Sequence, residues 1–192
     1  MSISNKANER NEKNERTFNG LRVNKKAFES RWNNNCYTYA INQPVSPYTG
    51  ENYGDWNECQ PNLLGGLEKD EDFSYWRLGG TKKYGKLIEG AKLDLNGFGF
   101  TIQESTYEEV GNGDCWKVAV CFEEDEGHYG DYHWYRQNLN GTWSHKKGRA
   151  KVSKVDAKGK VIHNPQECNR GIYTEFGGFF MIRKLEVIQM AV

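Results

Sequence analysis

The run Asp131-Tyr132-His133-Trp134-Tyr135-Arg136-Gln137-Asn138-Leu139-Asn140-Gly141-Thr142-Trp143-Ser144-His145 decides how this chain reads. Residues 132–137 are rich in aromatic side chains and read as a strand. Asn140-Gly141 is a tight-turn signal, and residues 142–145 read as the returning strand. Successive side chains on a strand point to opposite faces, so His133 and Tyr135 share one face. Positions 133 and 145 sit symmetrically about residue 139, close to that turn. The spacing predicts His133 and His145 as facing cross-strand neighbours.

Working outward, residues 116–122 (Trp-Lys-Val-Ala-Val-Cys-Phe) form the preceding strand, with an acidic loop at 123–131 between the two. Further strands are expected over 152–155, 160–162 and 179–187, divided by turn signals such as Asn164-Pro165. Upstream, Asn33-Asn34-Asn35 precede Cys36-Tyr37-Thr38-Tyr39-Ala40-Ile41. Asn is a good N-cap, so a short helix is expected from about Asn35 until Pro44 stops it. Residues 43–97 are rich in Gly, Pro, Asn and Tyr, with weaker helix signals at 72–78 and 82–89. Such irregular stretches often wall a cleft. Helices first and an antiparallel sheet later make the class α+β, with no internal repeat.

Residues 1–17 are almost wholly polar and are expected to be a flexible arm, leaving 18–192 as one domain. An aromatic share of 14% argues against a disordered chain, because those rings can offset ordering entropy. Equal numbers of basic and acidic residues, 26 of each, give no global field toward nucleic acid or an anionic membrane. No apolar run approaches a membrane span or a signal peptide. The expected address is therefore cytoplasmic, or reached by export or release without an N-terminal signal.

The five cysteines, Cys36, Cys59, Cys115, Cys121 and Cys168, contain no CxxC pair, so neither a zinc site nor a disulfide framework is expected. Only Cys36 stands where a helix should begin. A helix N-terminus and a nearby imidazolium lower a thiol's pKa by several units, which makes Cys36 the candidate nucleophile. Cys121 lies within an apolar strand. His133 is the candidate base and His145 its orienter, with Asp156 and Asn164 as competitors for that last role. His128 and His163 read as exposed. The Cys36 backbone N–H is the default oxyanion donor, with the Asn35 side chain favoured over Asn33 and Asn34 as a second. Trp134 neighbours the site in sequence and is a candidate substrate contact. The acidic loop lacks the ligand pattern of an EF-hand, and no metal or cofactor is expected.

The order of these features resembles the papain-like NlpC/P60 cysteine hydrolases. That family runs from a Cys at a helix start, through a strand introduced by Gly-Asp, to a strand bearing the catalytic His and another bearing a polar orienter. Here the sequence shows Asn35-Cys36-Tyr37, Gly113-Asp114 before residues 116–122, His133, and Trp143-Ser144-His145. The same segments, with Cys168-Asn169-Arg170-Gly171 and Gly178-Phe179-Phe180, are similar to a little-characterised papain-like group of bacteria and viruses. The resemblance implies a papain-like fold and an acyl-enzyme mechanism on a peptide, protein or peptidoglycan-like amide. The long interval between Cys36 and His133 implies an insertion around 43–97. Transfer of the acyl group to an amine, or a non-enzymatic binding or inhibitor module on the same fold, are the alternatives.

Overall fold

The computed structural model describes residues 15–18, 21–24, 35–42, 61, 81–111, 115–123, 131–148 and 150–185. Among them, β1 (Glu15–Phe18) and β2 (Leu21–Asn24) pair antiparallel as a small separate sheet. Strand pairing therefore begins inside the segment expected to be a flexible arm. The expected helix at 72–78 lies outside the described residues, as do His128, Asn33, Asn34 and Cys59.

The main body is a six-stranded sheet in the order β3-β8-β4-β5-β6-β7, antiparallel throughout. Its members are β3 (Phe100–Ser105), β4 (Cys115–Phe122), β5 (Tyr132–Gln137), β6 (Trp143–Lys146), β7 (Val152–Ser153) and β8 (Glu175–Lys184). The α+β class is thus present. β3 had no counterpart in the sequence reading, and residues 160–162 contribute only isolated bridges, Val155 to Val161 and Trp143 to Ile162.

Every residue of β4 is buried, since the sheet is covered on both faces. One face holds Trp116, Val118, Val120, Tyr132, Trp134, Phe180 and Ile182 against the helices. The other gathers Ala119, Cys121, Tyr135, Trp143, Ile162 and Phe179 under the 155–174 loops. Between Val120 and Cys121 the register to β8 slips by one residue, a bulge at Gly177. A Cβ there would run into the Phe122 ring and the Val120 side chain, so only glycine fits.

Two helices cover the first face. α1 is five residues, Cys36–Ala40, and α2 is Thr81–Gly97. In α2, Leu87, Ala91 and Leu95 recur every four residues, and all three are in the core. The stretch from Leu87 to Leu95 thus contributes to the core, while residues 43–60 and 62–80 of the expected insertion lie outside the described residues. Helix periodicity had flagged only 82–89, because Gly85, Gly90 and the charged residues dilute it.

A five-residue helix has no stability of its own. α1 is fixed by its surroundings. The Asn35 side-chain oxygen accepts from Thr38 N at 3.0 Å while the Thr38 hydroxyl accepts from Asn35 N at 3.0 Å, a full capping box. The Trp116 indole donates to Ala40 O at 2.9 Å, and the Tyr37 hydroxyl donates to Asp94 of α2 at 2.8 Å. The helix ends at Ile41 because Asn42 adopts φ 58°, a left-handed conformation Asn tolerates. The buried Arg136 guanidinium donates to the Asn42 side-chain oxygen at 2.9 Å, locking that end to β5. Termination thus precedes Pro44, the expected stop.

Candidate active site

Cys36 is the first residue of α1, and its helix rests on β5 and β6. On β6, Ser144 faces α1, where its hydroxyl meets the Tyr39 hydroxyl at 2.7 Å. By alternation His145 faces the opposite side. His133, two places from Tyr135 on β5, shares that side and packs against Tyr135 and Tyr173. The imidazoles therefore hang on the face away from the helix. The backbone N–H of Trp134, on β5, donates toward the Cys36 sulfur. That N–H belongs to the peptide joining His133 to Trp134. Standard bond lengths then put the sulfur within roughly 6 Å of the His133 Cα.

The hairpin register differs from the sequence expectation. His145 lies opposite Tyr135, Ser144 opposite Arg136 and Trp143 opposite Gln137. The symmetry centre is thus one residue later than expected, and His133 and His145 are diagonal rather than direct neighbours. Diagonal partners remain within reach of long and aromatic side chains. Here His133 Nε2 and His145 Nδ1 are 2.7 Å apart, with the rings perpendicular at 90°.

The proton positions follow from the next contact. His145 Nε2 lies 3.0 Å from the Val155 carbonyl, which only accepts. His145 Nε2 therefore carries a proton, and the neutral ring offers its Nδ1 lone pair. His133 Nε2 must then be the donor to His145, which leaves His133 Nδ1 as a free base. Burial, then the neighbouring His145 and Lys147, hold the His133 pKa well below its ordinary value, so it rests neutral. Burial likewise lowers His145, partly offset by its bond to Val155.

The thiol is also neutral at rest. Cys36 is half-exposed as a residue, but enclosure of its sulfur pushes the thiol up to about 12, with the Asp131 carboxylate adding to the rise. The N–H groups of Trp134, Tyr37 and Cys36 pull the other way and do not prevail. The expected lowering by the helix start is thus overridden by desolvation, which disfavours the charged form. Lys146, wholly buried beside this site, is pushed down to about 8 by burial, and its ammonium donates to Gly148 O.

The other candidates sort plainly. Trp134's indole is wholly buried and packs on Tyr37 at 5.5 Å, so its side chain is core rather than a substrate contact; only its backbone N–H reaches the site. Asn35's amide oxygen is taken up by the capping box. Asp156 accepts from the backbone N–H groups of Lys158, Lys160 and Asn169, and Asn164 from that of Gln166, so both organise turns instead of touching His133. His163 is exposed. Cys121 sits directly opposite His133 across β4–β5, yet it is wholly buried among apolar groups and pushed up to about 12. It lacks any approach for a substrate.

Tyr173 and Asp131 were not singled out in the sequence. The Tyr173 ring stacks on His133 at 4.9 Å and 21°, and its hydroxyl donates to Asp131 Oδ2 at 2.8 Å. Tyr173 lies in a loop far along the chain, where no spacing signal ties it to a histidine. Among the described residues no group of three or more His, Cys, Asp or Glu is placed to hold a metal ion. No described helix is long and apolar enough to cross a membrane. An open polar groove of about 860 Å³ lies elsewhere, lined in part by Asp156, His163 and Glu167.

No family model matches the chain, and no solved structure matches it. A stretch of 49 residues, 26% of this chain, is 45% identical to part of Insoluble matrix shell protein 1 of Ruditapes philippinarum. The match spans a third, 33%, of that relative's length.

Proposed function

We propose that this chain is a cysteine-dependent hydrolase of peptide, protein or related amide bonds, built on a papain-like fold, with Cys36 as nucleophile, His133 as base and His145 as orienter. The observation that carries it is the fixed proton order along Val155 O, His145 and His133. It leaves His133 Nδ1 as the one free unprotonated ring nitrogen of the pair, on the residue whose peptide bond to Trp134 supplies an N–H to the thiol.

Because both groups rest neutral, the base acts during attack rather than before it. His133 Nδ1 takes the thiol proton as sulfur bonds to the carbonyl carbon. The imidazolium keeps its Nε2–H on His145 Nδ1, which stabilises the developing charge. Backbone N–H groups at the start of α1 face the oxyanion. Collapse breaks the C–N bond, and the leaving amine takes the proton from Nδ1. Water then attacks the thioester, His133 takes its proton, the C–S bond breaks and the thiol is restored. An amine in place of water would give acyl transfer by the same steps.

A binding or inhibitor module on the same fold is the competing reading. The enclosed, high-pKa thiol favours it, as does the partial likeness to a protein named for an insoluble shell matrix. Assay of the full chain and of Cys36→Ala against a panel of peptide amides and esters separates the two. Hydrolysis lost in Cys36→Ala supports the enzyme. No turnover by the unaltered protein on any member, with full biological effect retained by Cys36→Ala, supports the module.

A further inference from the structure

Resting on the assignment of His133 as base, we propose that Tyr173 is a positioning residue for it: a stacked cover, tethered by Asp131 and braced from below by its own loop, that holds the imidazole plane. The stack is close, at 4.9 Å and 21°. An aromatic pair of this kind contributes beyond area burial alone.

The tether and brace make the cover more than a chance contact. The Tyr173 hydroxyl donates to Asp131 Oδ2, and the other Asp131 oxygen accepts from Tyr132 N at 2.8 Å. The carboxylate therefore has a fixed direction, two residues ahead of His133. Arg170 donates to four backbone carbonyls, those of Pro165, Gln166, Tyr173 and Thr174. A guanidinium's rigid fork suits such cross-bracing, and here it ties both ends of the loop that presents Tyr173. Asp156 Oδ2 accepts from Asn169 N at 3.1 Å, anchoring the loop to the turn beyond Val155. Thus the loop that shields His133 and the carbonyl that orients His145 share one support.

The consequence is geometric. With Tyr135 at its edge, His145 perpendicular and Tyr173 on its face, the His133 ring cannot turn about its bonds without breaking a contact. The groups beside it that carry or can carry charge are His145 and Lys147 from β6 and its end, Cys121 directly opposite on β4, and the flanking Tyr135 and Tyr173. Removal of Tyr173 opens the ring to water from a side none of the others occupies.

The test is an NMR titration of the His133 ring in the full chain, with Tyr173→Ala, Tyr173→Phe and Tyr173→Leu. Tyr173→Ala should move the midpoint upward toward that of an ordinary histidine and speed exchange of the His133 Nε2 proton on the order of tenfold. Tyr173→Phe keeps the stack but loses the tether to Asp131, and should fall between the unaltered protein and Tyr173→Ala. Should Tyr173→Ala fail to fold, Tyr173→Leu, which fills the space without stacking, should exchange faster than Tyr173→Phe. Identical titration and exchange in the folded variants overturns the proposal. The titration needs no turnover, so a shift seen in a protein without acyl chemistry would sink the hydrolase assignment and leave the cover standing.

Discussion

Alkylation of Cys36 as a function of pH reads the enclosed thiol directly. Burial raises it to about 12, some three pH units above the 9.0 of an unperturbed thiol. At neutral pH the thiolate population is then lower by a factor of ~10³, and only the thiolate is alkylated. Iodoacetamide labelling followed at the Cys36 peptide by mass spectrometry should therefore run far slower in the folded protein than in urea. The rate should keep climbing well past pH 9, where a free thiol levels off. Peptide-level mapping is needed because Cys115, Cys121 and Cys168 are also free thiols. A Cys36 rate at pH 7 equal to or above that in urea would refute the reasoning: it would mean a thiolate–imidazolium pair at rest, in which the helix start and imidazole outweigh desolvation.

Three further outcomes follow from the same geometry. Both histidine pKa values are depressed below 6.5 in the fold, so the unfolded chain binds protons first as pH falls. The stability the neutral pair contributes is present above pH 6.5 and drains away below it, and urea midpoints should fall on acidification from pH 7 to 5, less so in a His133→Phe variant. Asn35→Ala removes the capping box and should cost about 0.5–2 kcal/mol in urea unfolding, with slower Cys36 chemistry as α1 loosens. His145→Asn offers an oxygen in place of Nδ1 and should retain much of the acyl-transfer rate, whereas His145→Ala should lose ~10²-fold or more, read as kcat on whichever ester or amide is turned over.

Much of this architecture was legible where one local signal dominates. Asn35 announced the cap of α1, Asn140-Gly141 the β5–β6 turn, and the valines of 116–122 a central strand. The hairpin arithmetic found the right pair of histidines with the wrong register, because a spacing count cannot tell where pairing is symmetric when the loop holds Asn138 to Thr142. Diagonal geometry preserved the contact. The cover of Tyr173 and the brace of Arg170 were invisible, since they depend on a loop returning from forty residues downstream. The thiol's pKa was misjudged for a related reason. A helix start is a property of neighbours in sequence, but desolvation is a property of everything packed around the sulfur. Trp134 shows the same division, its position next to His133 being readable and its burial under α1 not.

The central claim is that His133 Nδ1 takes a proton from Cys36 as an acyl group arrives on sulfur. Intact-mass and peptide-mapped detection of acyl transfer from p-nitrophenyl acetate, at pH 7, tests it most directly in the unaltered protein and in His133→Ala. The account predicts an acetyl adduct on Cys36 that forms and then decays with water, and that forms at least ~10²-fold more slowly in His133→Ala. No adduct on Cys36, or an adduct formed equally fast without the imidazole, would contradict it.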